Sequence, residues 1–302
     1  MPVLPELRTY APADFSAVLG LIGNAFGGES QESVRFAVSA SNTTTFVAES
    51  AGAGVVGVAM AIAFGRTAWL GNVVVSPAWR RRGLGHALTE RALQQALGEA
   101  DTVLLLALGD AQRIYERIGF VADGLYGTWT YPDPPAAAAE PARPAGQTTA
   151  AAAAEPAPPA DGGGEAVGDR ALAELCLPLD RAATGEDRRA YLEYFMPVMR
   201  IAYTEGGGDR GRVAAGYSAR LPWGTGAVIA DDPRVAAGLV GDLLRAFPQT
   251  RLEFPDANEA GCRVAADLGL ARVKENLRMR FGPPVVGFRP QCVYKALTPA
   301  VG

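Results

Sequence analysis

The run Val73-Val74-Val75-Ser76-Pro77-Ala78-Trp79-Arg80-Arg81-Arg82-Gly83-Leu84-Gly85-His86 reads as a strand, a short loop and the start of a helix. Three consecutive β-branched residues favour an extended, buried strand. Pro77 cannot donate to a ladder and ends it. Beyond the arginines, Leu84, Leu88, Ala92 and Ala96 fall on one helical face, joined by Leu93 and Leu97. A helix N-terminus carries unpaired N–H groups and about half a positive charge. Glycines at that point let the backbone approach a ligand closely, so the segment reads as a pyrophosphate cradle with cationic partners nearby. The spacing Arg-x-x-Gly-x-Gly is not a Walker loop, which needs Gly-Lys-Ser/Thr. Nor is it the dinucleotide pattern Gly-x-Gly-x-x-Gly.

Outward from this segment, elements alternate. Strands are predicted at Leu7–Tyr10, Thr45–Ser50, Val55–Phe64, Ala68–Ser76, Thr102–Leu108 and Phe120–Tyr131, with helices at Pro12–Phe26, Glu32–Ala40 and Asp110–Ile118. Residues 132–168 contain 14 Ala, 8 Pro and 5 Gly among 37 positions, which predicts a flexible linker with no core of its own. It divides the chain into residues 1–131 and 169–302, each long enough to bury a core. In the second block the sequence predicts a long helix from a capping box at Thr184-Gly185-Glu186-Asp187 to about Ala202. Strands follow at Val213–Arg220 and Thr225–Ala230, a helix from Pro233 to about Phe247, strand Arg251–Phe254, helix Glu259–Leu268, and strands Val273–Phe281 and Cys292–Leu297.

The spacing around Arg80, Gly83 and Gly85 resembles motif A of the GNAT superfamily of acyl-CoA-dependent N-acetyltransferases, Gln/Arg-x-x-Gly-x-Gly/Ala after a strand ending in Val-x-Pro. A second family signature, Tyr-x-x-x-Gly-Phe, is matched by Arg113-Ile114-Tyr115-Glu116-Arg117-Ile118-Gly119-Phe120. The resemblance covers residues 6–131. It implies an α/β (α+β) fold of two GNAT-like domains, each a mixed, mostly antiparallel twisted sheet flanked by helices. It also implies acetyl-CoA as co-substrate. The cofactor-binding residues would be Val73, Val74, Val75, Arg80, Arg81, Arg82, Gly83, Leu84, Gly85 and His86. The amides of residues 81–86 would hold the pyrophosphate, and the backbone of Val73–Val75 the pantetheine arm and thioester carbonyl. Tyr115 would be the catalytic residue, protonating the departing thiolate. Some family members place an acid on the strand before the tyrosine helix. Here Val103-Leu104-Leu105-Leu106-Ala107-Leu108 has none, so the general base is open; Asn72 could orient a water.

The second block resembles a degenerate copy of the first, and the second domain of tandem bacterial GNAT proteins. Arg263–Leu270 aligns with Arg113–Phe120 at an offset of 150, placing Ala265 on Tyr115. After Ala227–Ala230 comes Asp231-Asp232-Pro233 instead of a glycine loop. Asp232 is a good N-cap and Pro233 a good first helical residue, and carboxylates there repel a pyrophosphate. This block is expected to wall the acceptor pocket or serve structure, with residues 1–131 binding acetyl-CoA without it.

Composition bounds the rest. Net charge is −4, against the basic face that nucleic acid requires. Only Lys274 and Lys295 are lysines, so 26 of the 28 basic residues are arginine, which reads as the bias of a GC-rich genome. The sparse cysteines Cys176, Cys262 and Cys292 and the single histidine argue against a disulfide framework and a metal site. No signal peptide and no apolar run of membrane-spanning length is found, so a cytoplasmic enzyme is expected. The expected activity is acetyl transfer to a primary amine of a small molecule, by direct attack. The alternatives are a CoA-binding sensor or scaffold without turnover and a protein amine acetyltransferase. Oligomeric state is left open.

Overall fold

The computed structural model describes residues 5–26, 31–132, 169–195, 198–205 and 212–297. The linker expected at 132–168 lies, after its first residue, outside the described residues. The first half runs β1 (Glu6–Thr9), α1 (Phe15–Phe26), α2 (Gln31–Ser39), β2 (Thr43–Ser50), β3 (Gly54–Phe64), β4 (Thr67–Val75), α3 (Leu84–Leu97), β5 (Thr102–Ala107), α4 (Gln112–Ile118) and β6 (Val121–Thr130). The second half runs α5 (Asp169–Thr184), α6 (Arg189–Phe195), β7 (Met199–Glu205), β8 (Arg212–Arg220), β9 (Gly226–Ala230), α7 (Pro233–Ala246), β10 (Leu252–Pro255), α8 (Glu259–Asp267), β11 (Ala271–Phe281) and β12 (Val293–Lys295). From α1 to β6 and from α5 to β11 the two halves repeat the same element order.

The halves do not form two self-contained sheets. One eight-stranded sheet has the order β1-β2-β3-β4-β5-β11-β6-β10. Strand β11 of the second half lies between β5 and β6 of the first, and β10 flanks β6. The exchange is reciprocal. Arg278 of β11 pairs with Leu106 of β5, and Thr128 of β6, 150 residues earlier, pairs with Glu253 of β10. Glu253 is therefore the counterpart of Leu106 in the repeat. The second sheet has the order β12-β9-β8-β7. Residues 1–131 alone would leave β5 and β6 with unpaired ladder groups, which replaces the expectation of an independent first block.

Helix α3 covers one face of the large sheet with Leu88, Ala92 and Ala96, all almost fully buried. It packs so closely on β3 that a Cβ at Gly57 would meet Leu88 Cδ1 at 2.8 Å. The opposite face packs against α1 and α2 and continues without a break into the core of the second half. The halves are also tied by Trp69, whose Nε1 donates to Glu186 Oε1 at 2.6 Å, both groups buried. Asp180 receives Arg188 Nε at 2.9 Å beneath this link, and Tyr217 donates to the same carboxylate.

The long helix predicted from Thr184 is corrected. Thr184 ends α5, its hydroxyl donating to Asp180 O at 2.8 Å and accepting from Glu186 N at 3.2 Å. Asp187 Oδ1 accepts from Arg189 N as the next helix begins. Residues 199–205 are a strand because they pair with β8, Met199 opposite Ala219. Strand pairing here overrides an apolar pattern that suits either element. Helix α5 was masked in the sequence by Pro178, which lies inside it.

Candidate active site

Strand β4 pairs in parallel with β5 only over Thr67, Ala68 and Trp69. Beyond that the strands part. The split coincides with Asn72, held at φ 49°, where the register of β4 against β3 shifts. Asn72 is one of two described non-glycine residues at positive φ, a conformation asparagine tolerates better than most. Its amide donates to Met60 Sδ at 3.3 Å. The backbone edge of Val73–Val75 is thereby turned away from β5 and lines an open cleft of about 1190 Å³.

Below the cleft, Arg81 at φ 60° and Gly83 at φ 83° reverse the chain into α3. Gly83 is the N-cap and offers no side-chain hydrogen bond to the helix. The first N–H groups of α3 are thus left for a ligand. Arg80 Nε donates to Val75 O at 3.0 Å, tying the loop to the strand end. Arg80, Arg81, Gly85 and Tyr115 line the cleft together with Val73, Val74 and Val75. Other predicted cofactor residues lie elsewhere. Arg82 stacks over Trp79 at 5.0 Å, and Leu84 is buried in the core under α3. His86 Nε2 is 3.4 Å from Glu90 Oε1 one turn along the helix.

Tyr115 sits on α4, packed edge-on against Phe120 with ring centroids 6.0 Å apart. The helix ends at Gly119, φ 109°, and Phe120 N returns to Tyr115 O at 3.0 Å. This turn fixes the tyrosine against the cleft. Burial pushes its phenol up to about 12, so it carries its proton at neutral pH.

The second half repeats these parts and closes each one. Leu270 N returns to Ala265 O at 3.0 Å after Gly269 at φ 81°, matching the turn at Phe120, but the tyrosine is now a buried alanine. The N-terminus of α7 is capped internally, Asp232 accepting from Arg234 N at 2.7 Å. Asp231 receives Arg289 at 3.1 Å. The slot between β9 and β10 is filled by β12, which pairs antiparallel with β9, and Ala296, just past its end, donates its N–H to Glu253 O at 2.6 Å.

A second set of residues, not found from sequence, lines the far side of the same cleft. Strand β6 brings Thr128, flanked by Glu253 on β10 and Lys274 on β11. Thr128 Oγ1 donates to Glu253 Oε1 at 2.9 Å. Burial raises the Glu253 carboxyl above its ordinary value, partly offset by Thr128 and by neighbouring Lys295, Lys274 and Arg251. Lys295 Nζ donates to Gly226 O at 2.8 Å and Ala296 O at 3.2 Å, and burial lowers it to about 8. The one signal available in advance was compositional, since the two lysines of the chain both line this cleft.

A split β4–β5 edge above a glycine-opened helix, in a chain whose two halves repeat one element order and exchange strands, defines a tandem GNAT fold. Solved structures agree. An acetyltransferase candidate from Pyrococcus horikoshii superposes with a TM-score of 0.71 at 19% identity, over 98% of this chain and 95% of that one. A tandem GNAT protein from the clavulanic acid biosynthesis pathway matches with a TM-score of 0.52 at 20% identity, over 92% of this chain and 99% of that one. Residues 41–122 match the family model of the acetyltransferase (GNAT) domain. No curated protein sequence matches it.

Proposed function

We propose that this chain transfers an acetyl group from acetyl-CoA to a primary amine of a small molecule, with one working site in the first half. The observation that carries the reading is the parting of β4 from β5 beyond Trp69, which exposes the strand edge, the α3 N-terminus and Tyr115 to one cleft. The edge of Val73–Val75 would hold the pantetheine arm, and the N–H groups at the start of α3 the pyrophosphate. The amine attacks the thioester carbonyl directly. A backbone N–H of the rigid strand stabilises the oxyanion. As the C–S bond breaks, Tyr115 gives its proton to the thiolate. A small acceptor is favoured because the second half walls the cleft with Arg220, Trp223 and Glu253.

Calorimetric titration of the full chain with acetyl-CoA tests the reading. One equivalent should bind, and Gly83→Glu should abolish binding. Two equivalents would mean that the second half is a live site, and no binding would end the transferase proposal.

A further inference from the structure

The charges of the cleft select its acceptor. Among the described lining residues seven side chains are charged, six of them cationic, and Glu253 is the single acid. Arg80 and Arg81 belong to the α3 end, where the pyrophosphate is placed. On the acceptor side, Lys295 is committed to two backbone carbonyls and Arg220 lies 4.2 Å over the Phe247 ring. The side chains of Lys274 and Arg251 are exposed and, among the described residues, make no hydrogen bond or ion pair. They flank Glu253 in two directions. Lys274 is one strand beyond Thr128, and Arg251 is two residues before Glu253, just ahead of β10, and lines the same cleft.

We propose that this side of the cleft receives a free amino acid or a close analogue, its ammonium facing Glu253 and its carboxylate held by Lys274 and Arg251. The proposal rests on the acetyl-transfer reading above. An amine without an anionic group would leave Lys274 and Arg251 unpaired beside a cationic ligand, and only an acceptor carrying both charges complements the arrangement. Glu253 comes from the second half, on β10, with β11 and β6 between it and β5. In the reaction Glu253 takes one proton from the ammonium and releases it to solvent. The nitrogen bonds the carbonyl carbon, the C–S bond breaks, and Tyr115 protonates the sulfur. The second proton lost by nitrogen restores Tyr115, leaving amide, free thiol and one released proton.

The test is thiol release from acetyl-CoA by the full chain, against the standard amino acids, their C-terminal amides and spermidine. At least one free amino acid should be acetylated, with kcat/KM for its amide lower by about tenfold or more, as expected when a charged hydrogen bond is lost. Lys274→Met and Arg251→Met, both surface changes, should raise KM for the acid by about tenfold and leave the amide unaffected. Glu253→Gln should lower kcat with acetyl-CoA affinity intact. Amides or spermidine acetylated as well as the acids, or no KM change in Lys274→Met, would overturn the proposal. So would acetyl-CoA binding with no amino acid acetylated, and in that case the CoA site itself stands. Failure to bind acetyl-CoA would remove the transferase reading as well.

Discussion

The two halves share an element order from first helix to last common strand, yet one presents an open cleft and the other a sealed one. The differences are few and local. Gly83 caps α3 without a side chain, whereas Asp232 caps α7 with its own carboxylate. Beyond Trp69 the β4–β5 slot is empty of strand, whereas β12 fills the slot between β9 and β10. Tyr115 faces the cleft, whereas Ala265 is core. One element order thus encloses an open cleft in one half and a packed core in the other. The second half also serves the first, because β10 and β11 complete the first half's sheet and bring Glu253 and Lys274 to the open cleft.

The contrast breaks most completely if the halves prove separable. Residues 1–131 alone lack the strand between β5 and β6, so they should fail to unfold cooperatively and should not bind acetyl-CoA. Circular dichroism melts and calorimetry check this, and a soluble fragment with full-length affinity would show that the exchange is dispensable. Next in size is Tyr115→Phe. Turnover should fall about 10²- to 10³-fold, within the range of lost general-acid catalysis, with acetyl-CoA affinity unchanged. Equal losses in binding and rate would make the tyrosine a packing residue.

The link between halves should read out in pH. Burial raises Glu186 to about 7, above its ordinary 4.5, against the pull of Arg188 and of the hydrogen bond from Trp69. The folded chain therefore holds a proton there that the unfolded chain releases. Stability from this group is fully present below about pH 4.5 and is lost as pH rises through 7. Urea unfolding of the full chain between pH 5 and 8 should show that decline, and Glu186→Gln should flatten it. An unchanged slope in the variant would place the pH dependence elsewhere. The smallest effect is expected from Asp232→Ala. It removes the cap of α7 and should lower Tm slightly, with acetyl-CoA stoichiometry staying at one. A second equivalent bound by this variant would show that the carboxylate alone had silenced the second half.

Much of this was legible locally. The segment Val73–His86 and the turn at Tyr115–Phe120 each report a backbone conformation that their own residues impose: β-branched strand, proline stop, glycine at positive φ. The correspondence of Arg263–Leu270 with Arg113–Phe120 was readable too, because both close a short helix with the same glycine turn. The helix expected across residues 199–202 was not, since an apolar run at a sheet edge takes the structure its partner strand offers.

By itself, then, the sequence determined the two repeats, the glycine opening of α3, the turn after Tyr115 and the Asp232 cap of α7, all properties of neighbours along the chain. Only the tertiary structure decided that β11 completes the first sheet, that β12 plugs the second slot, and that Glu253, Thr128 and Lys274 form one row. The pairings of β10 and β11 with β5 and β6 join residues more than a hundred positions apart, and β12 reaches β9 across more than sixty. Their selection by whole faces of apolar packing leaves no local signature.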